Sequence, residues 1–259
     1  MSASALPVVV TRPAAMAQPL ADGLRAAGRD AVVLPLLEIV PIEDATTLRE
    51  CLARLDTYAL VVFVSPSAID IVLPMIASWP ASAAVAVVGE GSRRALARHG
   101  VCEDNARIFS PCDPQRSDSE TLLQVLDLEA LRGRRVLILR GDGGRELLGD
   151  ALRGAGAQVE QVTAYRRRAP IFNEARRELL QRLLDGGAIW LITSSEALRV
   201  LTGWVRDAFG AAGLTKLQAQ RLIVPHPRIA ETAGALGFSD ITQTASGDEH
   251  LLAALQSRP

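Results

Sequence analysis

A segment near the start of the chain returns almost unchanged further on. Leu20-Ala21-Asp22-Gly23-Leu24-Arg25-Ala26-Ala27-Gly28 reappears as Leu148-Gly149-Asp150-Ala151-Leu152-Arg153-Gly154-Ala155-Gly156, at an offset of 128 with six of nine positions identical. The same offset aligns Val64-Ser65-Pro66-Ser67 with Ile192-Thr193-Ser194-Ser195, and Val72-Leu73 with Val200-Leu201. An offset of 129 aligns Ser117, Glu120, Leu122, Leu123 and Leu126 with Ser246, Glu249, Leu251, Leu252 and Leu255. Order and spacing that hold over most of the chain mark two copies of one unit, rather than chance likeness between Leu/Ala-rich helices.

Each copy alternates short apolar runs with amphipathic stretches. In the first copy the predicted strands are Val8–Thr11, Ala31–Leu34, Leu60–Val64, Val85–Val88 and Arg107–Phe109, with helices such as Ala15–Ala27 and Ser92–His99 between them. In the second they are Val136–Leu139, Val159–Val162, Ile189–Ile192, Leu222–Val224 and Ile241–Thr242. Near-continuous apolar strands joined by helices imply parallel sheets covered on both faces. Gly28 and Gly100 stand where helices should end in a left-handed residue. The expected fold is α/β, with two five-stranded, doubly wound, flavodoxin-like domains.

One aligned position departs from this pattern. Segments 37–43 and 164–171 look extended, and both carry a proline near the end (Pro41, Pro170). Arg166-Arg167-Arg168 is too charged for a central buried strand. These segments are read as a two-stranded connector that crosses between domains. The first βαβ of each copy then joins the later strands of the other. That assigns residues 1–36 with 172–259 to one domain and 44–163 to the second, with a wide cleft between them; an unswapped pairing stays open.

Composition narrows the function. Of 259 residues, 49% are hydrophobic, and the net charge is -1, so no global positive field draws in nucleic acid. Lys216 is the only lysine beside a large set of arginines, which favour planar grips on carboxylates and phosphates. Three cysteines without CxxC spacing and three scattered histidines argue against a disulfide framework or a metal site. No basic segment followed by an apolar stretch opens the chain, and the longest charge-free run, Ile71 to Gly89, is broken by Pro74 and Pro80. A cytoplasmic protein without a membrane span is expected.

In doubly wound sheets ligands bind beyond the carboxyl ends of the strands, where helix N-termini gather. Those ends carry small, polar or glycine-rich turns: Thr11-Arg12-Pro13, Ser65-Pro66-Ser67, Gly89-Glu90-Gly91-Ser92, Arg140-Gly141-Asp142-Gly143-Gly144, Thr193-Ser194-Ser195 and Pro225-His226-Pro227-Arg228. Ser117 and Ser246 precede the last helix of each copy. Such turns together suit a flexible ligand with many carboxylates, although each Ser or Thr equally serves as an ordinary N-cap. Arg12 and Arg140 occupy aligned positions and are candidate carboxylate clamps or surface ion pairs. The turn at Gly141 lacks a P-loop's spacing and lysine, and no G-x-S-x-G occurs. Tyr58 reads as structural. Tyr165, beside the arginine run, is a candidate proton donor or a packing tyrosine of the hinge.

Taken in order, Val10-Thr11-Arg12-Pro13, Val62-Phe63-Val64-Ser65-Pro66-Ser67-Ala68, Val87-Val88-Gly89-Glu90-Gly91-Ser92, Leu139-Arg140-Gly141-Asp142, Ala164-Tyr165-Arg166, Ile192-Thr193-Ser194-Ser195 and Ser246-Gly247-Asp248-Glu249 resemble the uroporphyrinogen-III synthase family over essentially the whole chain. The resemblance implies the swapped two-domain fold with a β-ladder hinge. It also implies a lyase without a cofactor or metal, acting on hydroxymethylbilane, a linear tetrapyrrole with acetate and propionate groups. The terminal hydroxyl leaves as water, and the resulting azafulvene cation attacks the substituted carbon of the last ring. The spiro intermediate then opens and recloses with that ring inverted.

On this resemblance Tyr165 matches the family's favoured acid, and Ser65 and Ser194 match hydroxyl positions at the cleft. The substrate-binding candidates are Arg12, Ser65, Ser67, Gly89, Glu90, Arg140, Gly141, Ser194, Ser195, His226 and Arg228. His226 and Arg228 stand where many relatives have a Gly-Pro-x-Thr type turn. A monomer is expected, meeting the upstream bilane-forming enzyme in transient contact, with no nucleic-acid or membrane partner. The competing class is a non-catalytic two-domain sensor for a polycarboxylate. A transferase with a nucleotide-linked donor would need a phosphate-gripping loop.

Overall fold

The computed structural model describes residues 6–111, 118–143, 146–245 and 247–256. Ser117, Ser246, Cys112 and Gly144 lie outside these residues. The strands are β1 (Val8–Val10), β2 (Ala31–Val33), β3 (Glu38–Pro41), β4 (Leu60–Phe63), β5 (Ala84–Val87), β6 (Ile108–Phe109), β7 (Arg135–Gly141), β8 (Gln158–Arg168), β9 (Ile189–Leu191), β10 (Arg221–Val224) and β11 (Ile241–Gln243). The α-helices are α1 (Ala14–Ala26), α2 (Thr46–Ala53), α3 (Pro66–Val72), α4 (Glu90–Arg98), α5 (Ser119–Val125), α6 (Leu147–Gly154), α7 (Glu174–Gly186), α8 (Ser195–Gln218), α9 (Pro227–Ala235) and α10 (Asp248–Gln256).

The chain divides into two compact units, residues 1–38 with 168–259, and residues 39–167. The first unit holds a five-stranded sheet in the order β2-β1-β9-β10-β11, every neighbouring pair parallel. The second holds β3-β8-β7-β4-β5-β6, with the pairs from β8 to β6 parallel. In the first unit this is the 2-1-3-4-5 order of flavodoxin-like sheets, whose ligands sit where the winding reverses.

Alternation along each strand supplies two cores per unit. Val61 and Phe63 of β4 enter one cluster, with Val85, Val87, Leu137 and Leu139, while Leu60 and Val62 enter another, with Ala86, Val136 and Ile138. Val9 likewise faces one cluster of the first unit, and Val8 and Val10 the other. A strand buried on both faces has no polar side to show, which is why these runs read as continuous apolar stretches. The helices bury single stripes: Ala17, Leu20, Ala21 and Leu24 of α1 recur at helical spacing. After α1 and α4 the chain leaves through Gly28 and Gly100, each with φ 76°, a conformation that disfavours any other residue.

Both extended segments carry strand: Glu38–Pro41 is β3, β8 runs unbroken through the three arginines to Arg168, and the two are neighbours in the second sheet. The charges are tolerated because this end of β8 carries them outward: Arg166 and Arg168 are exposed, and Arg168 pairs with Glu38 at 3.3 Å. For the same reason the second sheet has six strands rather than five.

Candidate active site at the ends of strands β4 and β7

Strand β4 ends at Phe63, and two residues later Ser65 caps α3. Its Oγ accepts the Ala68 N–H at 3.2 Å, and Pro66 follows at the first helical position, where its missing N–H costs nothing. Beside β4 lies β7, and beside β7 lies β8. The β7–β8 register is regular up to Arg140 opposite Thr163, then shifts so that Gly141 faces Tyr165. The extra residue, Ala164, is a bulge of the kind that re-aims a side chain.

The bulge lays the Tyr165 ring over Gly141. A Cβ at Gly141 would stand 2.7 Å from two ring carbons and 3.0 Å from the hydroxyl, closer than packed atoms come. Tyr165 is 5% exposed, and its Oη lies 3.0 Å from Ser65 Oγ. Since Ser65 Oγ already accepts from the α3 backbone, its proton is available to the phenol oxygen, and its remaining lone pair to the phenol proton. Asp142 donates its N–H to the Tyr165 carbonyl at 2.9 Å and accepts the Arg167 N–H at 2.9 Å, locking the turn after β7 onto β8.

These groups line a cavity of about 220 Å³ that includes Ser65, Ser119, Arg140, Gly141, Gln161 and Tyr165. Arg140 is held on three sides: Nη1 donates to Glu146 at 2.7 Å and Gln161 Oε1 at 2.9 Å, and Nη2 donates to the Gly143 carbonyl at 2.7 Å. So four of the expected site residues, Ser65, Arg140, Gly141 and Tyr165, meet in one pocket. Ser67, Gly89 and Glu90 do not line it. Ser67 is half-buried in the first turn of α3, Gly89 precedes α4 in extended backbone, and Glu90 is exposed and paired with Arg94 at 3.2 Å.

The other five expected residues sit at the carboxyl edge of the first unit's sheet. Arg12 pairs with Asp248 at 2.6 Å. Ser194 caps α8, accepting from Glu196 and Ala197 N–H, and Ser195 accepts from Thr232 Oγ1 at 3.0 Å. His226 caps α9 through Nδ1, which accepts the Arg228 N–H at 3.1 Å, while Arg228 itself is exposed. Capping and internal ion pairing, the plainer readings, therefore account for the contacts these side chains make.

Two pocket residues escaped sequence reasoning. Ser119 is aligned with Asp248 at the offset of 129, a signal that was available. Gln161 gave only a weak one, a polar residue inside an otherwise strand-like run. A separate polar cluster also went unread, at the opposite end of β7 and β8. Glu160 accepts from Arg135 Nη2 at 2.6 Å and from Arg54 Nη2 at 2.7 Å, and Arg135 also donates to the Tyr58 hydroxyl at 3.2 Å. Burial, followed by its thiol and carboxylate neighbours, pushes the Tyr58 phenol well above its ordinary range, which suits a structural donor. Among the described residues no group of three or more His, Cys, Asp or Glu could hold a metal ion, and no helix is long and apolar enough to cross a membrane.

A family model described as uroporphyrinogen-III synthase HemD matches residues 18–253. The chain is 34% identical to the uroporphyrinogen-III synthase of Salmonella typhimurium over 258 residues, covering 96% of this chain and 99% of the relative. It is 33% identical to the Escherichia coli uroporphyrinogen-III synthase over the same shares. A solved structure, the uroporphyrinogen-III synthetase from Helicobacter pylori, superposes with a TM-score of 0.59 at 14% identity, covering 98% of this chain and 99% of that one.

Proposed function

The chain belongs to the uroporphyrinogen-III synthase family and has that activity, closing hydroxymethylbilane to uroporphyrinogen III in tetrapyrrole biosynthesis; we propose that Tyr165 is its proton donor. The supporting observation is the Tyr165–Ser65 contact of 3.0 Å in a cavity that also holds Arg140. The phenol gives its proton to the terminal hydroxymethyl group, and the C–O bond breaks to release water. The azafulvene cation then attacks the substituted carbon of the last ring, forming a C–C bond to a spiro centre. That centre opens and recloses with the ring inverted, and the last proton lost restores the pyrrole. The Ser65 hydroxyl stabilises the phenolate left behind by donating to it.

Most of the work asked of the protein is positioning. The bilane closes spontaneously without inversion, so the site must hold one folded conformer long enough for the spiro route. We assign Arg140 and Gly141, beside Tyr165, to the substrate's carboxylates and rings; Ser67, Gly89 and Glu90 of the same unit, and Arg12, Ser194, Ser195, His226 and Arg228 of the first unit, stay candidates for substrate contact through side-chain cations and helix N-termini. No step needs a cofactor, since proton transfer and carbon–carbon bond formation involve no change in net oxidation state.

The sheet orders also support a duplication in which each copy contributed its first βαβ to the other copy's later strands. We further infer a cytoplasmic monomer that receives its unstable substrate in transient contact with the bilane-forming enzyme. The deciding experiment supplies freshly generated hydroxymethylbilane and separates the oxidised products by isomer. Enrichment of the inverted isomer over a protein-free control is expected; a product mixture equal to the control would reject the reading.

A further inference from the structure

Gln161 lies four residues before Tyr165 in β8, and both side chains line the same cavity. Its Oε1 accepts from Arg140 Nη1 at 2.9 Å. That bond settles which end of the amide meets the guanidinium, and it leaves Nε2 facing away. Nε2 is buried and makes no well-formed hydrogen bond; the group it faces is the Glu146 carboxylate, at poor geometry. A buried donor so poorly satisfied is costly, so its retention calls for a reason. The adjoining helix makes room for it, because a Cβ at Gly149 would collide with Nε2.

Arg140 completes the arrangement. Its side chain is 11% exposed, yet the carboxylate capping it, Glu146, is 56% exposed. The nearby Gln161 amide, and then Arg140, hold the Glu146 carboxyl below the usual carboxylate range, so it is an anion at neutral pH. A nearly buried cation and a poorly satisfied amide donor thus converge under an exposed, displaceable carboxylate. At the aligned position of the first unit, Arg12 is 15% exposed and is capped by Asp248, which is 46% exposed, at 2.6 Å. The two capping carboxylates come from non-equivalent places, Glu146 just before α6 and Asp248 at the start of α10. What recurs is the chemistry rather than the repeat.

We propose that Arg140 and Gln161 form one carboxylate subsite beside Tyr165, and that Glu146 occupies it as an internal stand-in until an acetate or propionate of the substrate displaces it. Guanidinium and amide then present N–H donors to the two oxygens of the incoming group, and Nε2 exchanges its poor contact with Glu146 for a well-formed hydrogen bond. This rests on the reading of the pocket as the place where hydroxymethylbilane reacts, and it makes Gln161 a substrate-binding residue.

The test is steady-state kinetics on freshly generated hydroxymethylbilane, with thermal unfolding of each variant recorded alongside. Glu146→Gln removes the competing anion and lowers KM by about threefold or more, with less dependence on salt. Gln161→Leu keeps the shape, removes the donor and raises KM by about tenfold, with kcat changed by less than about twofold. An unchanged or raised KM for Glu146→Gln would overturn the proposal, as would an unchanged KM for Gln161→Leu with only a lowered unfolding temperature. If Gln161→Leu fails to fold, the exposed Glu146→Gln decides alone. A wild-type protein that forms no excess of the inverted isomer would reject the pocket's function itself. A wild type that inverts normally, with neither variant moving KM, would reject the subsite alone.

Discussion

The hydroxyl of Tyr165 stands 3.0 Å from the hydroxyl of Ser65, a residue 100 positions earlier in the chain. Three parallel strands and a bulge bring them together, β7 lying between β4, which leads to Ser65, and β8, which carries Tyr165. The contact links the cap of a helix to the proposed acid of the reaction, so substitutions around it separate chemistry from stability.

Tyr165→Phe keeps the ring on Gly141 and removes only the proton. Its kcat is expected to fall by about a hundredfold, the lower range for loss of a positioned acid. The uninverted isomer rises as spontaneous closure overtakes the enzyme. Isomer separation of oxidised products measures both, and undiminished turnover would remove Tyr165 from the role.

Ser65 has two duties that two substitutions pull apart. Ser65→Ala loses the α3 cap and destabilises by about 1 kcal/mol, whereas Ser65→Gly costs only a few tenths, as caps generally do. Both lose the hydroxyl facing Tyr165, so both should lower kcat alike. Equal activity loss with unequal denaturation midpoints is the expected result; activity that follows stability would show capping to be the only role.

Gly141→Ala needs no unusual backbone angle, so its effect is steric. The new methyl meets the Tyr165 ring and forces it away from Ser65. Overpacking of this kind costs roughly 1–3 kcal/mol. Turnover should drop nearly as far as in Tyr165→Phe, and the double variant should be little worse than either single one, because both act through the phenol. Full additivity in kcat would show that Gly141 acts elsewhere.

Glu160 supplies a pH dependence. Burial alone would raise its carboxyl, but hydrogen bonds from Arg135 and Tyr58, with the charges of Arg135 and Arg54, outweigh it and hold the group below the ordinary value of 4.5. A carboxyl depressed in the folded state stabilises fully above its unfolded value. That stabilisation is lost as pH falls through the lower folded value. Melting temperature should therefore decline as pH drops below about 4.5, and Glu160→Gln should flatten the decline. At neutral pH the substitution costs about 1 kcal/mol or less, since the pair is partly open to solvent. An identical pH profile for wild type and variant would exclude Glu160 as the source.

Much of the architecture was legible because its causes are local. Val8–Val10 and Leu60–Phe63 are apolar on every residue, which a parallel strand between two helical layers requires. Gly28 and Gly100 were recognisable as helix ends because the left-handed conformation there is a property of one residue. Arg166–Arg168 read as extended but too charged for a buried central strand, and β8 meets both conditions by carrying two of these side chains outward while the strand continues.

The sequence by itself determined the alternation of strands and helices and the family, since periodicity, turn chemistry and motif order are written along the chain. It also named Tyr165, Ser65, Arg140 and Gly141 as candidates. Only the tertiary structure decided which candidates meet. Register at the β7–β8 bulge puts Tyr165 on Gly141, and the order of strands in the sheet brings Ser65 to it. The partners of Arg12 and Arg140, and the poorly satisfied amide of Gln161, were likewise beyond reach, because a side chain's partner depends on long-range packing that no local pattern encodes.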